Sequence, residues 1–146
     1  MRLNLSKYGA ITVQVAKGTA DNENLTGSGI DMTGYSGVLF IGGMMSGEAG
    51  TITMKAQQAG SADYSDAADL LGTAVTAVAG TAATGYACAI LEIVNPQERY
   101  VRPILAVPNL DAANAAWVVG IAYGPDILPV TNSNAELHQS PAEGTA

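Results

Sequence analysis

The sequence predicts an all-β protein, a β-sandwich or small barrel of about seven or eight short strands. Short apolar, β-branched stretches recur along the 146-residue chain, with turn signals roughly every ten residues. One stretch, Gly50–Gln58, alternates with a clean period of two. Neither a fixed-period repeat nor the strand–helix alternation of βαβ units is present.

Taken in order, Tyr8–Ala16 (YGAITVQVA) is apolar with β-branched residues, and strand or short helix are both open. The polar run Lys17–Ser28 reads as a loop or extended arm. Val38–Ile41 reads as a continuous buried strand bounded by glycines, and Gly42–Gly47 as a β-turn region. In Gly50–Gln58, Ile52, Met54 and Ala56 point one way, and Thr51, Thr53, Lys55 and Gln57 the other, giving a strand with one wet face. The polar loop Ala59–Asp69 follows, and Leu71–Ala79 alternates loosely enough for a strand. Tyr86–Val94 is a strand closed by Asn95-Pro96. Arg99–Val107 is another, with Pro103 inside it. Proline cannot donate to a ladder, so this strand is expected at an edge, at a bulge or with a bend. Asn109–Asn114 is a turn, and Ala115–Tyr123, carrying the single Trp, is the last strong strand. The organisation expected is an N-terminal arm or first element plus loop over 1–28, a sandwich over 29–124 and an extended C-terminal tail over 125–146.

Composition narrows the function. Thirteen acidic against six basic side chains give a net charge of −7, which argues against nucleic acid as a partner, since binding phosphate needs Lys and Arg. No apolar run is long enough for a membrane span, and the N-terminus does not read as a signal peptide. Hydrophobic residues make up 48%, but Ala supplies much of that and aromatics only 5%, so the interior stabilises less per residue than a Leu- or Phe-rich one. Charged residues are 13%, about half the usual share, as expected of a surface that largely meets other protein. Arg2, Lys7 and Lys17 make the first twenty residues weakly basic, while no basic residue follows Arg102.

Residues for chemistry are scarce. The one histidine, His138, lies in the Pro-flanked tail and reads as solvated. Cys88 sits mid-strand between alanines and reads as a buried, inert thiol. One Cys and one His do not make a zinc site, and the acidic stretch Asp63–Asp69 lacks calcium-loop spacing, so its carboxylates read as caps for backbone amides. Gly42–Gly47 has no Gly-Lys-Ser/Thr after it, which removes a Walker-type loop. The expectation is no enzyme, no metal and no cofactor. One compact polar cluster stands on a strand, Glu98-Arg99-Tyr100-Val101-Arg102, with Tyr100 and Arg102 on one face. Arg and Tyr are enriched in interface hot spots; pairing of Arg99 or Arg102 with the 63–69 loop is the structural alternative.

The order of pieces resembles that of the capsid decoration (cement, head-stabilising) proteins of tailed bacteriophages. It runs through Gly29-Ile30-Asp31-Met32-Thr33-Gly34-Tyr35-Ser36-Gly37-Val38-Leu39-Phe40, an alternating strand into Ser61-Ala62-Asp63, then Arg99-Tyr100-Val101-Arg102 and the Gly124-Pro125 turn. The resemblance implies a jelly-roll-like β-sandwich, commonly a homotrimer. It further implies a place on the outer capsid surface of the virion, against the major capsid protein, with no catalysis. Arg2, Lys7, Arg99, Tyr100 and Arg102 are the expected partner contacts. A tail or neck adaptor, or a carbohydrate-binding sandwich, are the alternatives.

Overall fold

The computed structural model describes residues 8–15, 23–46, 50–79, 85–107, 115–127 and 130–132. Ten strands occur among them: β1 (Gly9–Val15), β2 (Glu23–Thr26), β3 (Ile30–Asp31), β4 (Tyr35–Ser46), β5 (Gly50–Ala59), β6 (Ala68–Asp69), β7 (Val75–Ala79), β8 (Gly85–Val94), β9 (Tyr100–Val107) and β10 (Ala115–Pro125). They form two antiparallel sheets of an all-β sandwich, in the orders β1-β10-β4-β8 and β2-β9-β5-β6, with β3 beside β9 and β7 beside β5. Six of the ten fall on stretches read as strands, and a seventh, β1, on the stretch left open between strand and helix. The other three, β2, β3 and β6, span only two to four residues, too short to show a periodicity. The expectation of a loop or arm over 17–28 therefore fails at Glu23–Thr26, which pairs with Val107–Ile104. Within the stretch left open between strand and helix, Gly9–Val15 is strand, laddered onto β10.

The core lies between the sheets. Val38, Phe40 and Met44 of β4, Ile52, Met54 and Ala56 of β5, Val101 and Leu105 of β9, and Ala116, Val118 and Ala122 of β10 are all buried. Small residues make room for large ones. A Cβ on Gly120 would come within 2.7 Å of Ile30 Cδ1 and 3.0 Å of Phe40 Cε1, so β10 is hollowed where the phenyl ring lies. The alternation of β5 holds as read, with Ile52, Met54 and Ala56 inside. Gln14, the buried polar side chain of the described interior, ties the sheets together: its Oε1 accepts from Gly29 N at 2.7 Å while its Nε2 donates to Thr12 Oγ1 at 2.7 Å.

Glycines and a proline were the least legible elements. β4 runs straight through Gly37, Gly42 and Gly43, so the strand read at 38–41 continues past the glycines expected to bound it, and residues 42–46 are strand where a turn was expected. Leu39 and Ile41 are only half-buried and face outward. Pro103 is not at an edge, since β9 lies between β2 and β5. It sits where the neighbour changes from β2 to β3: its carbonyl accepts from Gly27 N at 2.9 Å, and the missing N–H faces the gap between the two short strands. A side chain at Gly27 would strike the Pro103 ring at 2.6 Å, so the two residues require one another.

Candidate functional site

Two opposite outer surfaces carry the molecule's distinctive features. The first is the polar cluster expected from sequence. β9 projects Tyr100 and Arg102 outward and buries Val101 and Pro103, as period two requires. Arg99, just before β9, forks onto Asp31 of β3, with Nε to Oδ1 at 3.0 Å and Nη2 to Oδ2 at 2.6 Å. Asp31 Oδ1 also accepts from the Thr33 amide and hydroxyl, at 2.9 and 2.7 Å. These charge-assisted bonds, Arg99's foremost, hold the Asp31 carboxyl well below the usual carboxylate range. The same pairing pushes the Arg99 guanidinium up.

Arg102 places Nε and Nη2 on Gln57 Oε1 at 3.0 and 2.8 Å, and its guanidinium carbon lies 4.4 Å from the Tyr64 ring centre. The Tyr64 and Tyr100 rings meet edge-on at 6.2 Å. Arg102 therefore does reach the 63–69 loop, but through the Tyr64 ring rather than a carboxylate. Tyr64 adopts a left-handed φ of 57° and is thereby turned back onto the sheet. Its ring lies against Gly29, at a φ of 85°, where any side chain would overlap the phenol. Burial raises the Tyr64 phenol, against the opposing pull of Arg102.

The acidic loop does what was expected of its carboxylates. Asp66 accepts from the Gly60 and Ser61 amides at 3.0 and 3.2 Å, and Asp63 accepts from the Ser65 amide at 3.0 Å. Asp69 instead binds Lys55 Nζ at 2.6 Å and Gln57 Nε2 at 2.7 Å. Arg99, Tyr100 and Arg102 are thus brought together with Asp31, Gln57 and Tyr64, which sequence reasoning did not join to them. Arg2, Lys7 and His138 lie outside the described residues.

The second surface was missed. On the outward side of the four-stranded sheet, the register lines up Ile11, Ile121, Leu39 and Glu92 in one row, and Val13, Val119, Ile41 and Ile90 in the next. Tyr123, Gly37 and Val94 flank these on one side, and Trp117, Gly43 and Cys88 on the other. Val13 is 66% exposed, Ile90 58%, Val94 60% and Tyr86 77%. Glu92 is the only charged side chain in those rows, and its Oε1 accepts from the Tyr123 hydroxyl at 2.6 Å. Burial first, and this bond second, push the Tyr123 phenol up to about 12. Cys88 corrects the expectation of a buried thiol: with Ala87 and Ala89 turned inward, period two sends it outward, and it is exposed. The sequence signal was available. β5 alternates, whereas GVLFIGG, YACAILEIV and AAWVVGIAY are apolar at both parities, the pattern of strands covered on both faces.

The sequence matches no family model and no curated protein. Among solved structures, PBSX exported protein XepA is similar, at 21% identity and a TM-score of 0.48. That match covers 98% of this chain but 46% of XepA, so the chain spans about half of that neighbour's length. The globular domain of zebrafish complement 1qA protein is similar at 5% identity and a TM-score of 0.44, over 80% of this chain and 96% of that one.

Proposed function

We propose that this β-sandwich is a structural component of a bacteriophage virion, a decoration protein that binds the outer surface of the shell built by a major capsid protein. In this reading it acts as a homotrimer, without a catalytic step, after synthesis in the host cytoplasm. The observation that carries the reading is the outward side of the four-stranded sheet. Apart from Glu92 it is apolar across all four strands, and Ile11, Val13, Ile90 and Val94 stand exposed on it. Such a surface suits adhesion to protein. The capsid as partner rests on the sequence resemblance alone.

Adhesion would stabilise a shell by mass action. A protein that binds the assembled lattice and not its free subunits contributes RT ln(1 + [L]/Kd) at each site. Several linked copies add avidity through effective concentration. The cluster of Arg99, Tyr100 and Arg102 supplies polar contacts beside the apolar ones, with both arginines already oriented by Asp31, Gln57 and Tyr64. The test is co-sedimentation of purified protein with empty shells, together with immunolabelling of purified particles in the electron microscope. Arg102→Glu is expected to weaken shell binding by roughly 1–2 kcal/mol. Unchanged occupancy would remove Arg102 from the contact, and absence of the protein from particles would overturn the reading.

A further inference from the structure

We propose that the free edge of β1 accepts an extended, uncharged peptide segment of a partner protein, laid parallel to the strand, and that Asn132 holds part of that edge until the segment arrives. The proposal goes beyond the adhesive reading above and stands without it. β1 ladders onto β10 on one side alone, so its other side presents backbone groups outward. Such edges are usually blunted by lysine, proline or a bulge. Gly9–Val13, ahead of the register shift between Val13 and Val15, has none of these and no charge. The blunting comes from beyond β10. Ile11 N–H donates to Asn132 Oδ1 at 2.7 Å, and Asn132 Nδ2 donates to the Gly9 carbonyl at 2.8 Å. Gly9 C=O and Ile11 N–H flank Ala10, and they are the two groups that one residue of a parallel strand engages. The carboxamide thus stands where a peptide group of such a strand would stand, and it is a surrogate for the ligand's backbone.

Asn132 engages the first of two rungs. Backbone alternation turns the Ile11 carbonyl and the Val13 N–H to the same edge, flanking Thr12, where a parallel strand would bond again two residues on. Ile11 is 42% and Val13 66% exposed, open to apolar pairs with the side chains of an incoming strand. The Ile11 bond to Asn132 is itself exposed, so a competitor reaches it. Past Val13 the chain closes its own edge: the Gln14 carbonyl accepts from Ser28 N at 3.3 Å, and Gln14 Oε1 accepts from Gly29 N at 2.7 Å. The accepting length is therefore Gly9–Val13, roughly 17 Å. The other edges offer less, since β2 and β6 span four and two residues and β7 packs beside β8. Two backbone rungs with flanking apolar pairs outweigh one carboxamide, so a segment rich in Val, Ile or Thr displaces Asn132. With a net charge of −7 on the chain, an acidic segment is disfavoured.

The test titrates the isotope-labelled full-length chain with the blocked peptide acetyl-Thr-Val-Thr-Val-Thr-amide, followed by NMR. The amide signals of Gly9–Val13 should shift, and the Asn132 carboxamide signals should move with them as the side chain is displaced. Asn132→Ala removes the competitor and should bind the peptide about tenfold tighter, as expected for two lost hydrogen bonds. Val13→Pro removes the N–H of the second rung at an edge position, where proline is tolerated, and should abolish binding while the Asn132 bonds persist. A nitroxide in place of the acetyl group should broaden Gly9 more than Val13, the mark of parallel pairing. Circular dichroism checks the fold of each variant; if Asn132→Ala does not fold, wild type against Val13→Pro decides. The proposal is overturned by a lack of shifts at Gly9–Val13, by equal affinity of wild type and Asn132→Ala, by binding that survives Val13→Pro, or by stronger broadening at Val13. Asn132→Ala chains that pair with one another along this edge, and not with the peptide, would make a second copy the occupant and equally overturn it. Each of these outcomes leaves shell binding, measured separately, untouched.

Discussion

Replacing Gly29 with alanine should cost far more than a surface glycine normally does, and most of the excess should vanish when Tyr64 is removed. Two separate penalties meet at this position. Its φ of 85° is left-handed, which costs an L-residue about 1–2 kcal/mol. A methyl group there also overlaps the Tyr64 phenol, so the ring must leave its seat. Leaving breaks the stack of Arg102 over that ring, worth about 0.5–1 kcal/mol at a partly exposed site. It also breaks the edge-on contact with Tyr100, worth about 0.5–1.5 kcal/mol. Gly29→Ala should therefore destabilise by about 2–4.5 kcal/mol in total. In a Tyr64→Ala background only the backbone strain is left, about 1–2 kcal/mol. Urea unfolding of the four proteins, followed by far-ultraviolet circular dichroism, yields the coupling directly. Equal costs in the two backgrounds would show that Tyr64 does not seat on Gly29, and with it would go the account of how Arg102 is oriented.

Three further outcomes are expected. Phe40→Ala, at a fully buried ring wrapped by Gly120 and Ile30, should cost about 3–5 kcal/mol; a loss below half of that would mean the hollow in β10 collapses onto the vacancy. Asp31 is depressed in the fold, so its contribution is present above the ordinary carboxylate pKa of about 4 and is lost as pH falls through the lower folded value. Because the Arg99 pair is about half-exposed, that contribution is at most about 1 kcal/mol. Carbon-detected NMR should show the Asp31 titration rising toward its ordinary value in Arg99→Ala, and an unchanged midpoint would refute the fork. Tyr123 has the opposite sign: its phenol is raised to about 12, so its stabilisation is full below about 10 and is lost as pH climbs through 12. Glu92→Gln should bring the Tyr123 ultraviolet titration down only part of the way, since burial persists; a complete return would make the carboxylate, not burial, the main cause.

How far the residues disclosed the protein depends on the range of the interaction concerned. β5 was legible because its alternation is a local pattern, and the Asp63 and Asp66 caps because a short side chain reaches amides only a few residues away. Pro103 was half legible. A proline announces a missing donor, but only the register shows that the gap falls between β2 and β3 rather than at an edge. Gly37 and Gly43 of β4 misled because what excludes their side chains, Tyr123 and Trp117, arrives from β10, some eighty residues away in sequence. Arg99, Tyr100 and Arg102 could be picked out by type and parity, whereas Asp31, Gln57 and Tyr64 became their partners only through pairing across strands.

By itself, then, the order of amino acids determined the all-β class, most of the strands, the wet face of β5 and the scarcity of reactive groups. These follow from period-two hydropathy and composition, which are properties of neighbours along the chain. Tertiary structure alone decided which apolar residues remain uncovered. Ile41, Ile90 and Val119 look in sequence like any core residues, and nothing local distinguishes them from Phe40 or Leu91. A sheet has two sides, and the second sheet covers only one of them. That assignment of side, fixed by register and not by hydrophobicity, turns half of an apparent core into exposed apolar surface.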